Sequence, residues 1–368
     1  MKIQRVTLRE IHMRLVTPFE TSFGRTTVRR ILLLEVEADG HAGWGECVAG
    51  EGPFYSPETI DTAWLVLEKY IWPLLRGREL AGALEVWELL EPIRGHNMAK
   101  GGIEAAIWDA EAKLKGEPLW RMLGGVREEI ASGVSIGIKP SFDELLRAVE
   151  KELSAGYQRI KIKIKPGHDI EPVERLRARF PGIKLMVDAN SAYSIADAPH
   201  LRRLEAFYLM MIEQPLGWDD LYGHVALQRQ LQTPICLDEC IHSVEHARAA
   251  VELGACRIIN VKLGRVGGYT RALRIHDLCR EGQVPVWCGG MLESGIGRAH
   301  NIALSTLPGF SLPGDVTASR RYWQQDIIEP EVEITPLGTI RLHNHPGIGY
   351  QPRQDLIEEL AVRKAVLT

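Results

Sequence analysis

Two lysines and three acids recur along the middle of this chain at a nearly constant spacing. Lys163 closes the run Arg159-Ile-Lys-Ile-Lys163, Asp188 closes Lys-Leu-Met-Val-Asp, Glu213 closes Leu-Met-Met-Ile-Glu, and Asp238 closes Ile-Cys-Leu-Asp, each 25 residues after the one before. A further 24 residues lead to Lys262, at the end of Arg-Ile-Ile-Asn-Val-Lys. Gathered carboxylates repel one another unless something cationic sits among them, and an all-oxygen donor set suits Mg2+. Lysines on both sides of such a set are groups that can take up and return protons. A single Asp at a strand end more often caps a helix. Three acids in step, flanked by lysines, point instead to a bound Mg2+, replaceable by Mn2+, with Asp188, Glu213 and Asp238 as ligands.

These residues need an element that repeats. Ile160, Ile162 and Ile164 alternate with Lys161, Lys163 and Lys165, which is the period of a strand, and Pro166-Gly167 ends it. Covered on both faces, as in a parallel α/β sheet, such a strand sends ammonium groups inside, where they need carboxylates beside them. Short apolar runs near Val134, Ile162, Val187, Ile212, Leu237, Val261 and Val286 alternate with amphipathic stretches at 142–155, 243–254 and 269–280. That order predicts a parallel barrel with its chemistry at the carboxyl ends of the strands. The eighth strand, at Phe310–Leu312, is weak, so seven or eight units are expected. The fold class is α/β: a TIM-type (β/α)7-8 barrel with an α+β capping domain.

Residues 1–125 read as the capping (lid) domain, 126–320 as the barrel, and 321–368 as a C-terminal return that packs on the cap. In the cap, two strands are expected over 2–15 and 29–39, and a helix over 102–115. The loops 17–24 and 43–56 carry Phe19, Phe23, Phe54 and Tyr55 among turn residues, which suits a lid over the barrel mouth. In the return, strands are expected at 332–334 and 339–342. A chain of 368 residues, 45% hydrophobic and 25% charged with a net charge of -4, shows no basic surface for nucleic acid or membrane. A small-molecule carboxylate is the expected partner. Cysteines scattered without a C-x-x-C pair, and charges where a signal peptide would be apolar, predict a cytoplasmic protein.

Lys161-Ile-Lys163, Val187-Asp-Ala-Asn190, Ile212-Glu-Gln-Pro215, Leu237-Asp-Glu239 and Val261-Lys262 together resemble the muconate-lactonising branch of the enolase superfamily, over essentially the whole chain. Gly264-Arg265-Val266-Gly267-Gly268, Gly289-Gly-Met-Leu-Glu-Ser-Gly295 and Leu312-Pro-Gly-Asp315 resemble its o-succinylbenzoate synthase family, which also contains N-acylamino acid and N-succinylamino acid racemases. The resemblance implies that Asp188, Glu213 and Asp238 hold Mg2+, that Lys163 and Lys262 are catalytic, and that Lys161 assists Lys163. It also implies that Asn190, Glu239 and Arg265 surround them, and that Phe19, Thr21, Tyr55, Met291 and Glu293 bind substrate.

Enolase-superfamily sites pair a lysine or histidine base with Mg2+ to remove a proton next to a carboxylate through an enediolate. For the synthase this is dehydration of 2-succinyl-6-hydroxy-2,4-cyclohexadiene-1-carboxylate in menaquinone biosynthesis. The racemase alternative uses the same residues. Muconate cycloisomerase and dipeptide epimerase share the skeleton, although the epimerases usually carry Asp-x-Asp where this chain has Asp315-Val-Thr317. A Schiff-base lysine enzyme would not need three acids in step, and a non-catalytic barrel would not need the five ionisable positions. Such barrels often associate, so a homo-oligomer is expected.

Overall fold

The computed structural model describes residues 1–22 and 24–368; Phe23, assigned above to the lid, lies outside them. Strands β1 (Ile3–Glu20), β2 (Arg25–Ala38) and β3 (His41–Cys47) form an antiparallel sheet, with the C-terminal strand Ala361–Leu367 paired to the outer side of β1. Both long strands outrun their expected limits. After a register shift beyond Arg14, the hairpin pairs again at Phe19 with Thr26 and Glu20 with Arg25. Much of the expected loop 17–24 is therefore strand, turned at Thr21 by a bond from its N–H to the Gly24 carbonyl.

The second expected loop also begins as a strand, since Gly43 and Gly45 belong to β3. They lie against helix α1 (Asn97–Leu114), so closely that a Cβ would come within 2.0 Å of the Ala106 carbonyl at Gly43 and 2.2 Å of the Gly102 carbonyl at Gly45. These glycines permit close packing and are not there for loop freedom. Helix α1 starts before its expected residue because Glu58, distant in sequence, accepts from the N–H groups of Met98 and Ala99, a cap that local sequence cannot reveal.

Strands β4 (Gly133–Ile136), β5 (Arg159–Lys163), β6 (Leu185–Asp188), β7 (Ile212–Glu213), β8 (Ile235–Leu237), β9 (Ile258–Val261) and β10 (Val286–Cys288) form one parallel sheet in chain order. Parallel bridges from Phe310 to Val286 and from Gly314 to Ser132 join its two edges through the segment 310–314. Helices α2 (Phe142–Ser154), α3 (Val244–Leu253), α4 (Tyr269–Glu281) and α5 (Gly295–Leu304) lie among the connections. Ser141 and Ser243 cap the first two, each accepting from the third backbone N–H beyond it, a contact that contributes about 1 kcal/mol. The barrel is plugged by Met186, Met211, Cys236, Ile258 and Trp287, a cluster apart from the main core. Three of these stand two residues before Asp188, Glu213 and Asp238, so they share the inward face one layer deeper. The strand expected at 339–342 is observed as Thr339–Arg341, but it pairs with Glu129–Ala131 rather than with the cap.

Cap and barrel are tied by Glu46. Its carboxylate accepts from the Ser294 N–H and hydroxyl and from the Gly297 N–H, at the N-terminus of α5. Burial, with Glu293 adding to it, pushes the Glu46 carboxyl up to about 8. A carboxyl raised in the folded state binds more protons there than in the unfolded chain, so its contribution to stability falls as pH rises from about 4.5 to about 8. The stability of the parent relative to Glu46→Gln should therefore decline across that window, by up to about 1.4 kcal/mol per pH unit. Urea titrations at pH 5, 6.5 and 8 that gave a constant difference would contradict this.

Candidate active site

Strand register builds the site. Lys163 pairs with Asp188 and Asp188 with Glu213, so three of the spaced residues stand side by side on adjacent strands. Asp238 follows β8, and Lys262 follows β9. The alternate residues Arg159, Lys161 and Lys163 of β5 all point to the barrel interior. Arg159 and Lys161 lie 4.9 and 4.8 Å from the Trp287 ring, and Lys163 reaches Asp188.

Each acid has a cationic partner. Lys163 Nζ donates to Asp188 Oδ2 and Asn190 Oδ1, both at 2.6 Å. Asn190 passes the network on, its amide donating to Glu239 at 2.9 Å, and it holds a left-handed backbone (φ 43°) that Asn tolerates. Lys161 Nζ is 2.8 Å from Glu213, 3.3 Å from Asp188 and 2.6 Å from Asp315. Burial opposes its charge, but Asp315, Glu213 and Asp188 together hold its pKa well above the usual lysine value. Asp238 takes Lys262 at 2.7 Å, the Tyr55 hydroxyl at 2.9 Å and the Arg265 guanidinium. Lys262 also stands 4.6 Å from the Tyr55 ring. Burial lowers its pKa, yet Asp238 and then Tyr55 prevail and raise it.

Sequence reasoning passed over several members of this network. Asp315 neutralises both Lys161 and Arg159, the latter at 2.7 Å, a role its motif does not state. Asn260 donates to Glu213 at 2.7 Å, and Gln214 accepts from the N–H groups of Asp238 and Cys240. Asp315 had a signal, a lone acid after the weak eighth strand. Asn260 and Gln214 had none beyond their nearness to expected ligands.

Above this layer lies a cavity of about 500 Å³ between cap and barrel, bordered by Phe19, Thr21, Tyr55, Lys163, Lys262 and Met291 among others. The hairpin reaches the mouth: the Glu20 carbonyl accepts from Ile138 N–H, and the Ser22 hydroxyl donates to the Asn190 carbonyl at 3.3 Å. Glu293 borders a smaller cavity that Glu46, Lys262 and Met291 also line, and it accepts from Asn301 at 2.9 Å.

Among the described residues, no three His, Cys, Asp or Glu side chains are grouped so as to hold a metal ion; lysines and Arg265 occupy the oxygens of the three acids. The donor set nonetheless fits a hard cation, being all oxygen and borne on successive strand ends. Burial, and then the neighbouring Asp188, push the Glu213 carboxyl well up, and Glu239 Oε2 is buried without a partner.

Residues 3–124 match the family model for the mandelate racemase / muconate lactonizing enzyme N-terminal domain, and residues 144–356 match that for the enolase C-terminal domain-like family. The chain belongs to the enolase superfamily. It is 54% identical over 357 residues to the o-succinylbenzoate synthase of Geobacillus kaustophilus, covering 97% of this chain and 95% of the relative. It is 48% identical over 365 residues to the N-succinylamino acid racemase of an Amycolatopsis species, covering 99% of each. The fold agrees with that of an enolase superfamily protein from Listeria innocua, with TM-score 0.96 and 40% identity over 100% of this chain and 99% of that one. No helix among the described residues is long and apolar enough to cross a membrane.

The pairing of Asp315 is open to direct test. Asp315→Asn leaves Lys161 and Arg159, whose side chains are 3% and 1% exposed, short of a counter-charge. Breaking a buried ion pair from one side costs about 3–5 kcal/mol. A urea midpoint shift worth less than about 1 kcal/mol would mean that Asp315 does not hold this pair.

Proposed function

We propose that this chain is a divalent-metal-dependent o-succinylbenzoate synthase that dehydrates 2-succinyl-6-hydroxy-2,4-cyclohexadiene-1-carboxylate, with N-succinylamino acid racemisation as a second activity of the same site. The observation that carries the reading is the pair Lys163 and Lys262 bordering one cavity, with Asp188, Glu213 and Asp238 on the strand ends between them. The likeness to a named synthase and a named racemase supports each activity in turn.

In this reading Asp188, Glu213 and Asp238 hold Mg2+ or Mn2+, which supplies positive charge to the substrate carboxylate and so favours loss of the adjacent proton. Lys163 takes that proton from the ring carbon beside the carboxylate, giving an enediolate. The neighbouring C–O bond then breaks, and Lys163 returns the proton to the departing hydroxide, so that the products are o-succinylbenzoate and water. Lys262, kept cationic beside Asp238, faces the growing negative charge from the other side. Phe19 and Tyr55 close the cap side and limit water. Racemisation requires in addition that Lys262 exchange its own proton with the α-carbon. Its favoured observation is Arg265, which shares Asp238 with Lys262 and by like charge weakens the hold on the lysine's proton.

Exhaustive treatment with EDTA should reduce formation of o-succinylbenzoate at least about 100-fold, with recovery on adding Mg2+ or Mn2+. Undiminished turnover after chelation would sink the metal assignment. The lysines are separated by isotope exchange in D2O with each enantiomer of an N-succinylamino acid. Lys163→Ala and Lys262→Ala should each abolish racemisation, while each variant exchanges the α-proton only of the enantiomer its remaining lysine reaches. Exchange of the same enantiomer by both variants would refute an opposite-face arrangement.

A further inference from the structure

Arg29 lies on the cap side of the large cavity, and no role described above uses it. Arg29 is 7% exposed and borders the cavity together with Lys163, Lys262 and Met291. Two of its nitrogens donate to the carbonyls of Ala49 at 2.9 Å and Val48 at 2.8 Å, at the root of the loop that carries Tyr55. Its Nε has no partner. Among the described residues no carboxylate lies within ion-pair distance of Arg29 or of Arg25, but Arg25 is exposed to solvent, whereas Arg29 is buried; Arg30 is paired with Glu10 and Asp61, Lys163 with Asp188, and Lys262 with Asp238. The acidic groups whose charge acts on it most are Glu46 and Glu293. Glu46 gives its oxygens to the N-terminus of α5, and Glu293 accepts from Asn301. A buried cation held only by carbonyls is costly unless an anion reaches it.

The proposed substrates supply such an anion. The synthase substrate and an N-succinylamino acid are chemically unlike at the reacting carbon, yet both are dianions that share a succinyl arm ending in a free carboxylate. The first carboxylate, next to the proton that is removed, belongs with the lysines and the three acids. The second must find positive charge elsewhere in the same cavity, whose volume suits a ligand of this size. A planar guanidinium matches a carboxylate better than an ammonium does. We propose that Arg29 anchors the free carboxylate of the succinyl arm, so that one contact gives both reactions their common preference for succinyl substrates. This inference rests on the function proposed above. A narrower role, clamping the Val48–Ala49 backbone, would affect all ligands alike, and that difference provides the test.

Binding of o-succinylbenzoate and of 2-butanoylbenzoate, in which a methyl group replaces the free carboxylate, is measured by calorimetry with Mg2+ present, on the parent and on Arg29→Gln and Arg29→Lys. The parent should bind the dicarboxylate about 10- to 100-fold more tightly, the range of a charge-assisted hydrogen bond. Arg29→Gln should bring that ratio below about 3, and Arg29→Lys should restore part of it. The kcat/KM ratio between N-succinyl and N-butanoyl amino acids should fall in parallel, chiefly through KM. An equal loss on both ligands in Arg29→Gln overturns the assignment. If that variant does not fold, the absence of a dicarboxylate preference in the parent overturns it equally. Failure of the broader functional reading shows elsewhere, as a parent that prefers the dicarboxylate but turns over neither succinyl substrate.

Discussion

Everything at the barrel mouth depends on burying carboxylates and cations together. Asp188, Glu213, Asp238 and Glu239 are almost wholly shielded from solvent, and so are Arg159, Lys161, Lys163, Lys262 and Arg265. At contact distance in a medium of effective dielectric near 20, one such pair gains about 6 kcal/mol. Removing two ions from water costs several kcal/mol each, so the pair comes close to breaking even. The cluster therefore adds little to the stability of the fold. Its members are locked instead by what happens when one is removed, because the partner is then left charged in a dry place. Such an arrangement makes sense where the charges serve chemistry and the rest of the chain supplies the stability.

That supply comes from the apolar layers on either side. Below, Trp287 and its neighbours plug the barrel and form a floor on which Arg159 and Lys161 lie. Above, the cap contributes more than a cover. Tyr55 reaches down to Asp238 and Lys262, and the hairpin tip bonds to Asn190, which also holds Lys163. Each lysine thus has one contact leading back to the cap. Displacing either loop disturbs a buried lysine as well as the wall around it.

The barrel was legible in the sequence because its signal is local and repeated. An apolar run closed by an ionisable residue states its own strand, its inward face and its end, and five such runs in step state the register. The cap was less legible for physical reasons visible at particular residues. Gly43 and Gly45 look like loop glycines until α1 is seen pressed against them. The first turn of α1 depends on Glu58, far away in the chain. Ala361–Leu367 has little apolar alternation, since it is an edge strand with most of its side chains in solvent, and only its pairing with β1 identifies it. Asp315 and Arg29 were missed for a related reason. A charge acquires meaning from what neutralises it, or fails to, and the neighbours of both lie far off in sequence.

Under the proposed function the two lysines are not equivalent, and the difference bears on how one site can serve two reactions. Lys163 is shared between one carboxylate and the neutral amide of Asn190. Lys262 has Asp238 and the Tyr55 ring, but must divide Asp238 with Arg265. Dehydration needs a single lysine to move the proton and return it to the departing hydroxide, and it gains from a second lysine that stays charged. Racemisation asks that second lysine to give its proton up as well. The groups required are the same, so the balance between the reactions lies in how strongly Asp238 holds Lys262. Arg265 acts on that balance twice, as a competitor for the carboxylate and as a like charge close by. A change in the partition of one carboxylate between two cations is a small step in sequence, so under this reading one scaffold can lie close to both reactions.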